Sequence, residues 1–229
     1  MKPTRYLSLL VVILILGTSL SAQRFSSSNP PVNTDGPAAN LVKTCQSTVG
    51  DYFAQCEGFL SGIVFGIDAA NSNSETREIC FPGMPPELRR SIDVFASYVE
   101  RHPDDLNQHI GHVAYAAFLE AFPCDTSKPS AVPNNAPTGA YLAKVCQSYD
   151  GPDISLCRGM VSGIEFGIDA ANAKSKALEI CLPAVPMRSP NTPFQLFMKY
   201  VESHRDNLNE PVGYVLYTAL REAYPCQKQ

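Results

Sequence analysis

Residues 56–71, CEGFLSGIVFGIDAAN, recur at 157–172 as CRGMVSGIEFGIDAAN, and this pair of stretches decides the fold. Each reads as a helix that is apolar around most of its circumference, which marks a central rather than a surface helix. Each also carries three glycines four residues apart, Gly58, Gly62 and Gly66 in the first and Gly159, Gly163 and Gly167 in the second. In a soluble domain such spacing makes a bare ridge against which another helix packs closely. Packing within each unit is the first expectation, and packing between the copies or between chains is the second.

The recurrence extends outward from these helices. YVERHPDDLN (98–107) returns as YVESHRDNLN (200–209), and LEAFPC (119–124) as LREAYPC (220–226). Cys45, Cys56 and Cys80 map onto Cys146, Cys157 and Cys181 with a shift of 101, and Cys124 maps onto Cys226 with a shift of 102. One unit of about 85 residues is therefore used twice, with one residue inserted between Cys181 and Tyr200.

Within a unit no stretch alternates with period two, so the expected class is all-α, two tandem disulfide-stapled bundles of about four helices each. The first copy reads as helices over 40–46, 56–70, 85–101 and 104–121, the first capped by Asn40. Ile92, Phe95, Ala96 and Val99 form the expected core stripe of the third helix, and Val113, Ala114, Ala117 and Phe118 that of the fourth. In the second copy LPAVPMRSPNTPF (182–194) interrupts the third helix, which is expected to start only at Thr192–Pro193.

Outside the two units the chain changes character. Lys2 and Arg5 precede an apolar run, Leu7 to Leu16, and then small residues, the pattern of a signal peptide cut after Ser21 or Ala22. The run is too short to span a bilayer, and no later stretch is long enough, so no membrane span is expected in the mature chain. Residues 23–39 and 125–140 are rich in Ser, Pro, Asn and Gly and read as a disordered leader and a linker. The expected organisation is thus 1–22 signal peptide, 23–39 leader, 40–124 first domain, 125–140 linker and 141–226 second domain. An exported, periplasmic protein is expected, with full secretion as the alternative.

All eight cysteines lie in the expected mature chain, and no CxxC occurs, so disulfides are favoured over metal ligands. If helices two, three and four run up, down and up, Cys56 lies at the opposite end from Cys80 and Cys124. Bridged cysteines need Cα atoms within about 7 Å, which leaves Cys45–Cys56 with Cys80–Cys124, and Cys146–Cys157 with Cys181–Cys226. The two bridges of a unit contribute roughly 3 and 4 kcal/mol on a chain-entropy model.

Candidate chemistry is sparse. His102 with Asp104, and His204 with Asp206, resemble acid–base pairs but fall at a helix junction, where Asp accepting backbone N–H groups is ordinary capping. Asp68 and Asp169 sit on the apolar helices and are expected to hydrogen-bond a neighbouring loop or helix end. His109 and His112 lie one helical turn apart, but Pro211 and Tyr214 replace them in the second copy. Ser61 and Ser162 recur between glycines, where a small residue suits close packing. No nucleophile elbow, P-loop or zinc-enzyme motif appears, so the reading is of a non-enzyme with no catalytic residues, no metal and no cofactor. A hydrolase using His102 and Asp68 is the least favoured reading. The formal net charge of -4 argues against nucleic acid. Charge also separates the copies. Residues 40–124 hold eleven Asp/Glu and five Lys/Arg, whereas residues 140–226 hold nine and eight.

The combined pattern C-x-G-(F/M)-(L/V)-S-G-I, I-C-(F/L)-P, Y-V-E-x-H and A-(F/Y)-P-C resembles the Rap/Tai-type immunity proteins over 41–124 and 142–226. These are small periplasmic helical proteins that protect bacteria from peptidoglycan amidase effectors of type VI secretion. The resemblance implies a compact helical domain without catalytic residues, and a secreted cell-wall amidase as protein partner, its active cleft occluded. Some members act as homodimers, which implies that two linked copies pack as an internal pseudo-dimer. The alternative reading is a periplasmic envelope-stress protein similar to the small helical Hde-type acid chaperones.

Overall fold

The two apolar stretches form the longest helices of the computed structural model, which describes residues 37–72, 77–81, 88–124, 136–173, 179–183 and 193–226. In the first copy the helices are α1 (Ala38–Cys45), α2 (Gly50–Asn71), α3 (Leu88–Arg101) and α4 (Ile110–Ala121). In the second they are α5 (Gly139–Val145), α6 (Gly151–Asn172), α7 (Pro193–Ser203) and α8 (Val212–Ala223). A short 3-10 turn, Pro103–Asn107 or Arg205–Asn209, precedes the last helix of each copy. Among the described residues the fold is all-helical, and its only β pairings are four isolated bridges. All of them belong to one compact unit, Val32–Gln229. The proposed signal peptide, most of the leader, the loop after Ser72 and the proline segment 184–192 lie outside the described residues.

The glycine ridge faces the other copy. A Cβ placed on Gly58 would strike the Leu156 carbonyl oxygen, one on Gly62 that of Met160, and one on Gly66 that of Ile164. The reverse holds equally: Gly159, Gly163 and Gly167 lie against the carbonyls of Gln55, Phe59 and Ile63. At the centre, a Cβ on Gly62 would come within 3.0 Å of the Gly163 Cα. Positions rise together along both helices, so α2 and α6 run parallel and in register, backbone on backbone. Residue i meets j and the counterpart of j meets that of i, the reciprocity of a two-fold interface. The first expectation, packing within each unit, is thus corrected. Away from the ridge Leu60, Ile63 and Ile67 are fully buried, and α2 packs on α1, α3 and α4 of its own copy and on α8 of the other.

Two further contacts close the seam. Gly213, at the start of α8, lies against the Phe65 backbone of α2, and a Cβ placed on Gly111, at the start of α4, would come within 3.1 Å of the Phe166 ring of α6. Phe166 also meets Phe59, with ring centroids 5.7 Å apart. Each copy thus inserts one phenylalanine beside a glycine of its neighbour.

Around this pair the outer helices are stapled. Disulfides join Cys45 to Cys56 and Cys146 to Cys157, each with Cα atoms 5.1 Å apart. Cys80–Cys124 and Cys181–Cys226 close rings with sequence separations of 44 and 45. Backbone bonds reinforce the second type: the Cys80 N–H donates to the Phe122 carbonyl and the Cys124 N–H to that of Glu78, both at 2.9 Å.

Several boundaries differ from the sequence expectation. Helix two begins at Gly50, six residues early, because Tyr52 and Phe53 are half-buried and Ala54 is buried, so its first turns already have a packed side. α1 begins at Ala38, with Pro37 rather than Asn40 at its cap, since the Ala38 N–H is held by the Gln108 carbonyl at 3.0 Å. By the same device α5 takes the end of the expected linker: Gly139 N–H donates to the Glu210 carbonyl, and Thr138 accepts from Tyr141 N–H. The helix expected over 104–121 is split. His109 is drawn into a bridge with Pro37, which keeps the backbone extended there, and in the second copy Pro211 pairs with Thr138. Ala96 is exposed, and Tyr98 and Ser91 join Phe95 and Val99 on the buried side of α3.

The seam predicts a sharp contrast between glycines. Gly163→Ala forces the two helix backbones apart and is expected to cost at least about 2 kcal/mol, as overpacking does where no side chain can yield. Gly50→Ala, which meets nothing closer than Pro152 Cγ at 3.8 Å, is expected to be neutral or slightly stabilising. Chemical denaturation of the two variants compares them directly.

Candidate functional site

The residues singled out from the sequence fall at three places. The first is the junction between the third helix and the 3-10 turn. Here the Tyr98 ring stacks on His102 with centroids 4.3 Å apart, and Tyr200 stacks on His204 at 4.1 Å. The Tyr98 hydroxyl donates to Asp105 Oδ2 at 2.8 Å. Burial first, and then Asp105, push the Tyr98 phenol up to about 12. His102 Nε2 lies 3.2 Å from Glu120 Oε2, and Arg101 pairs with the other Glu120 oxygen at 2.6 Å. In the second copy His204 Nε2 stands 3.9 Å from Glu222. Asp104 and Asp206 are exposed, and neither junction histidine caps the turn through its side chain. Capping through Asp104 therefore gives way to a different lock, an aromatic–imidazole stack tied to the last helix by a glutamate.

One contact was not foreseen: Ser203 Oγ lies 2.9 Å from His204 Nδ1. The same hydroxyl has the carbonyls of Lys199 and Tyr200 at 3.1 and 3.2 Å, the usual use of a serine in a last helical turn. Arg101 occupies the equivalent place in the first copy. The pair is a helix end, with His204 at 3.9 Å from Glu222 beyond hydrogen-bond range.

The second place is the end of the central helices. Asp68 is partly buried, while Asp169 is exposed. Burial raises the Asp68 carboxyl above its ordinary range, and Arg77 opposes that shift. The Arg77 guanidinium also donates to the Asn71 carbonyl at 3.1 Å, tying the loop before Ile79 to the end of α2. Nearby, Glu78 accepts from the Tyr115 hydroxyl at 3.0 Å, and Glu179 accepts from Tyr217 at 2.9 Å. Burial and the glutamate together raise the Tyr115 phenol well above its ordinary range. These pairs were missed because the glutamates lie 37 and 38 residues before their tyrosines. Their recurrence in both copies, Glu78 as Glu179 and Tyr115 as Tyr217, was the available signal.

The third place is the start of α4. His109 Nδ1 accepts from the Gly111 N–H at 3.3 Å, and its ring lies 5.0 Å from Phe166 and 5.4 Å from His112. His109 thus caps a helix and covers a phenylalanine of the other copy. Ser61 is buried between the ridge glycines, while Ser162 is half-buried. Among the described residues no cluster of three or more His, Cys, Asp or Glu is placed to hold a metal ion. What the described surface offers instead is exposed apolar side chains: Tyr149 at 99%, Val49 at 51%, Tyr141 at 48% and Tyr214 at 42%.

A scan against family models matches residues 38–124 and 138–226 to the Rap1a immunity proteins. The chain belongs to the Rap1a immunity protein family. Each Rap1a segment begins at the first residue or cap of its first helix and ends on the last cysteine of its second disulfide. No curated protein and no solved structure matches the chain. As a Rap1a immunity protein it is not an enzyme. Its four disulfides agree with an extracytoplasmic location. No helix among the described residues is long and apolar enough to cross a membrane.

The raised carboxyl gives a pH prediction. A group whose folded pKa exceeds its unfolded value keeps its proton longer in the folded chain. Stability from that group is therefore full below the ordinary value of 3.8 and falls as pH rises above it. Asp68→Asn is expected to raise the melting temperature at pH 7 and to leave it unchanged at pH 3, as read by thermal melts at both values.

Proposed function

We propose that this Rap1a protein is a periplasmic immunity protein that binds a peptidoglycan amidase effector of type VI secretion and occludes its active cleft. The observation that carries the reading is the family match across both copies, 38–124 and 138–226. The disulfide framework fits an oxidising compartment, and the scaffold role of the histidines and carboxylates leaves recognition to the surface. Immunity of this kind asks for a rigid, pre-organised body, because ordering a binder on contact subtracts from its affinity. Four disulfides and a backbone-on-backbone seam supply that rigidity.

The expected partner is a peptidoglycan amidase effector, and any amidase encoded beside the gene of this chain is the first to assay. Purified full-length mature protein is expected to abolish that enzyme's cleavage of peptidoglycan at stoichiometric amounts, with a stable complex on gel filtration. Undiminished cleavage at a tenfold excess of the chain, with no complex, overturns the proposal.

A further inference from the structure

The parallel, in-register packing of α2 and α6 brings two disulfide-closed loops to the same end of the molecule. Loop 46–49 precedes α2 and loop 147–150 precedes α6, and the two meet where Gly50 and Pro152 face each other, a Gly50 Cβ being 3.8 Å from Pro152 Cγ. The largest apolar exposures among the described residues belong to these loops, Tyr149 at 99% and Val49 at 51%. A fully exposed tyrosine forgoes the burial that usually stabilises an aromatic ring, and it covers nothing in its own fold.

Neither loop is loosely held. Cys146–Cys157 closes the second over a sequence separation of 11, and Cys45–Cys56 closes the first over the same separation. The Gln147 and Ser148 N–H groups donate to the Lys144 and Val145 carbonyls at 3.2 and 3.3 Å, and the Ser148 hydroxyl donates to Asp153 at 3.3 Å. Gly151 then takes a φ of 78°, a left-handed turn open to glycine, which leads the chain from Tyr149 into α6. In the first copy the Val49 N–H is bound by Ser47 Oγ at 3.1 Å, and the Val49 carbonyl accepts from Tyr52 and Phe53. Both side chains are therefore displayed from a fixed backbone, and binding through them carries little ordering cost.

Charge around them is mostly negative. Residues 46–57 and their counterparts 147–158 contain Asp51, Glu57, Asp150 and Asp153 against one cation, Arg158. Asp150 and Asp153 are exposed on either side of the turn that carries Tyr149. An aromatic anchor rimmed by carboxylates complements an apolar pocket rimmed by lysine or arginine.

We infer that this end of the helix pair, with Tyr149 as anchor and Val49 on the other loop, is the surface that enters the partner's cleft, and that the cleft has a cationic rim. The inference rests on the immunity reading above and names the face that performs it. Both copies contribute, so the joined pair is the binding unit and a single copy lacks half the surface. The copies contribute unequally, because Thr48 stands where the second copy has Tyr149, and Asp150 where the first has Val49.

The test uses the full mature chain and the purified amidase effector that the assay above identifies as its partner, with affinity measured by calorimetry. The double variant Val49→Ser, Tyr149→Ala is expected to bind roughly 30-fold or more weakly, the cost of removing an interface anchor. Tyr214→Ala, also exposed but on α8, is expected to bind like the unmodified chain. In the unmodified protein, amide exchange at 46–50 and 147–151 is expected to slow on complex formation, a readout independent of how the variant folds. Unchanged affinity in the double variant, or unchanged exchange at both loops within a formed complex, overturns the inference and leaves the immunity reading standing. Absence of any complex with the unmodified chain overturns that reading, and the inference with it.

Discussion

Everything in this molecule is built around the approach of two helix backbones. Six glycines, three on α2 and three on α6, leave no Cβ between the helices, so each glycine rests on a carbonyl of the other copy. Helices packed through ordinary side chains lie about 8–10 Å apart, and a bare ridge lets them come closer. Close approach makes a contact of backbone against backbone, in which Cα–H groups face carbonyl oxygens. Such a contact has little tolerance. A side chain can change rotamer to admit a methyl group, whereas a carbonyl fixed in a helix cannot. The constraint therefore falls on glycine at all six positions, and it falls on both copies alike because the contact is reciprocal.

A helix that gives one face to this seam has further faces for the helices around it. Leu60 and Ile63 of α2 and Met160, Ile164 and Ile168 of α6 are buried, and beyond its own copy α2 packs on α8 and α6 on α4. Phe65 beside Gly213, and Phe166 beside Gly111, extend the seam to the final helices. Interface and core are thus one continuous apolar cluster spanning both copies. Within each copy the outer helices are also tied by disulfides and short backbone bridges that do not cross the seam. This division explains why the periphery has diverged while the ridge has not. The first copy carries eleven acidic side chains in 40–124 where the second carries nine in 140–226, and Thr48 stands at the position equivalent to Tyr149.

Much of this is legible in the sequence because duplication prints every important position twice. The repeat, the helical class and the apolar centre follow from residues 56–71 and 157–172 alone. The partner of the ridge does not, because spacing says that something packs against glycines without saying what. Gly111 and Gly213 also recur, and their recurrence at a helix start was a further signal of close approach. Boundaries are legible only where a local rule governs them. The beginnings of α1 and α5 depend instead on carbonyls of Gln108 and Glu210, about 70 residues away, and the break before α4 on a bridge from Pro37 to His109. The candidate site was harder still. His102 and Asp104 suggest an acid–base pair in sequence, but Tyr98 and Glu120 take the histidine, and Asp104 is left in solvent.

An immunity protein of this design is two domains by sequence and one body by packing, and that claim has a direct measurement. A protease site placed within residues 125–135 allows the oxidised chain to be cut between the copies after folding. The seam predicts that the two halves stay together through gel filtration at micromolar concentration and unfold in one transition. Halves that separate on the column, or that melt independently of each other, contradict it.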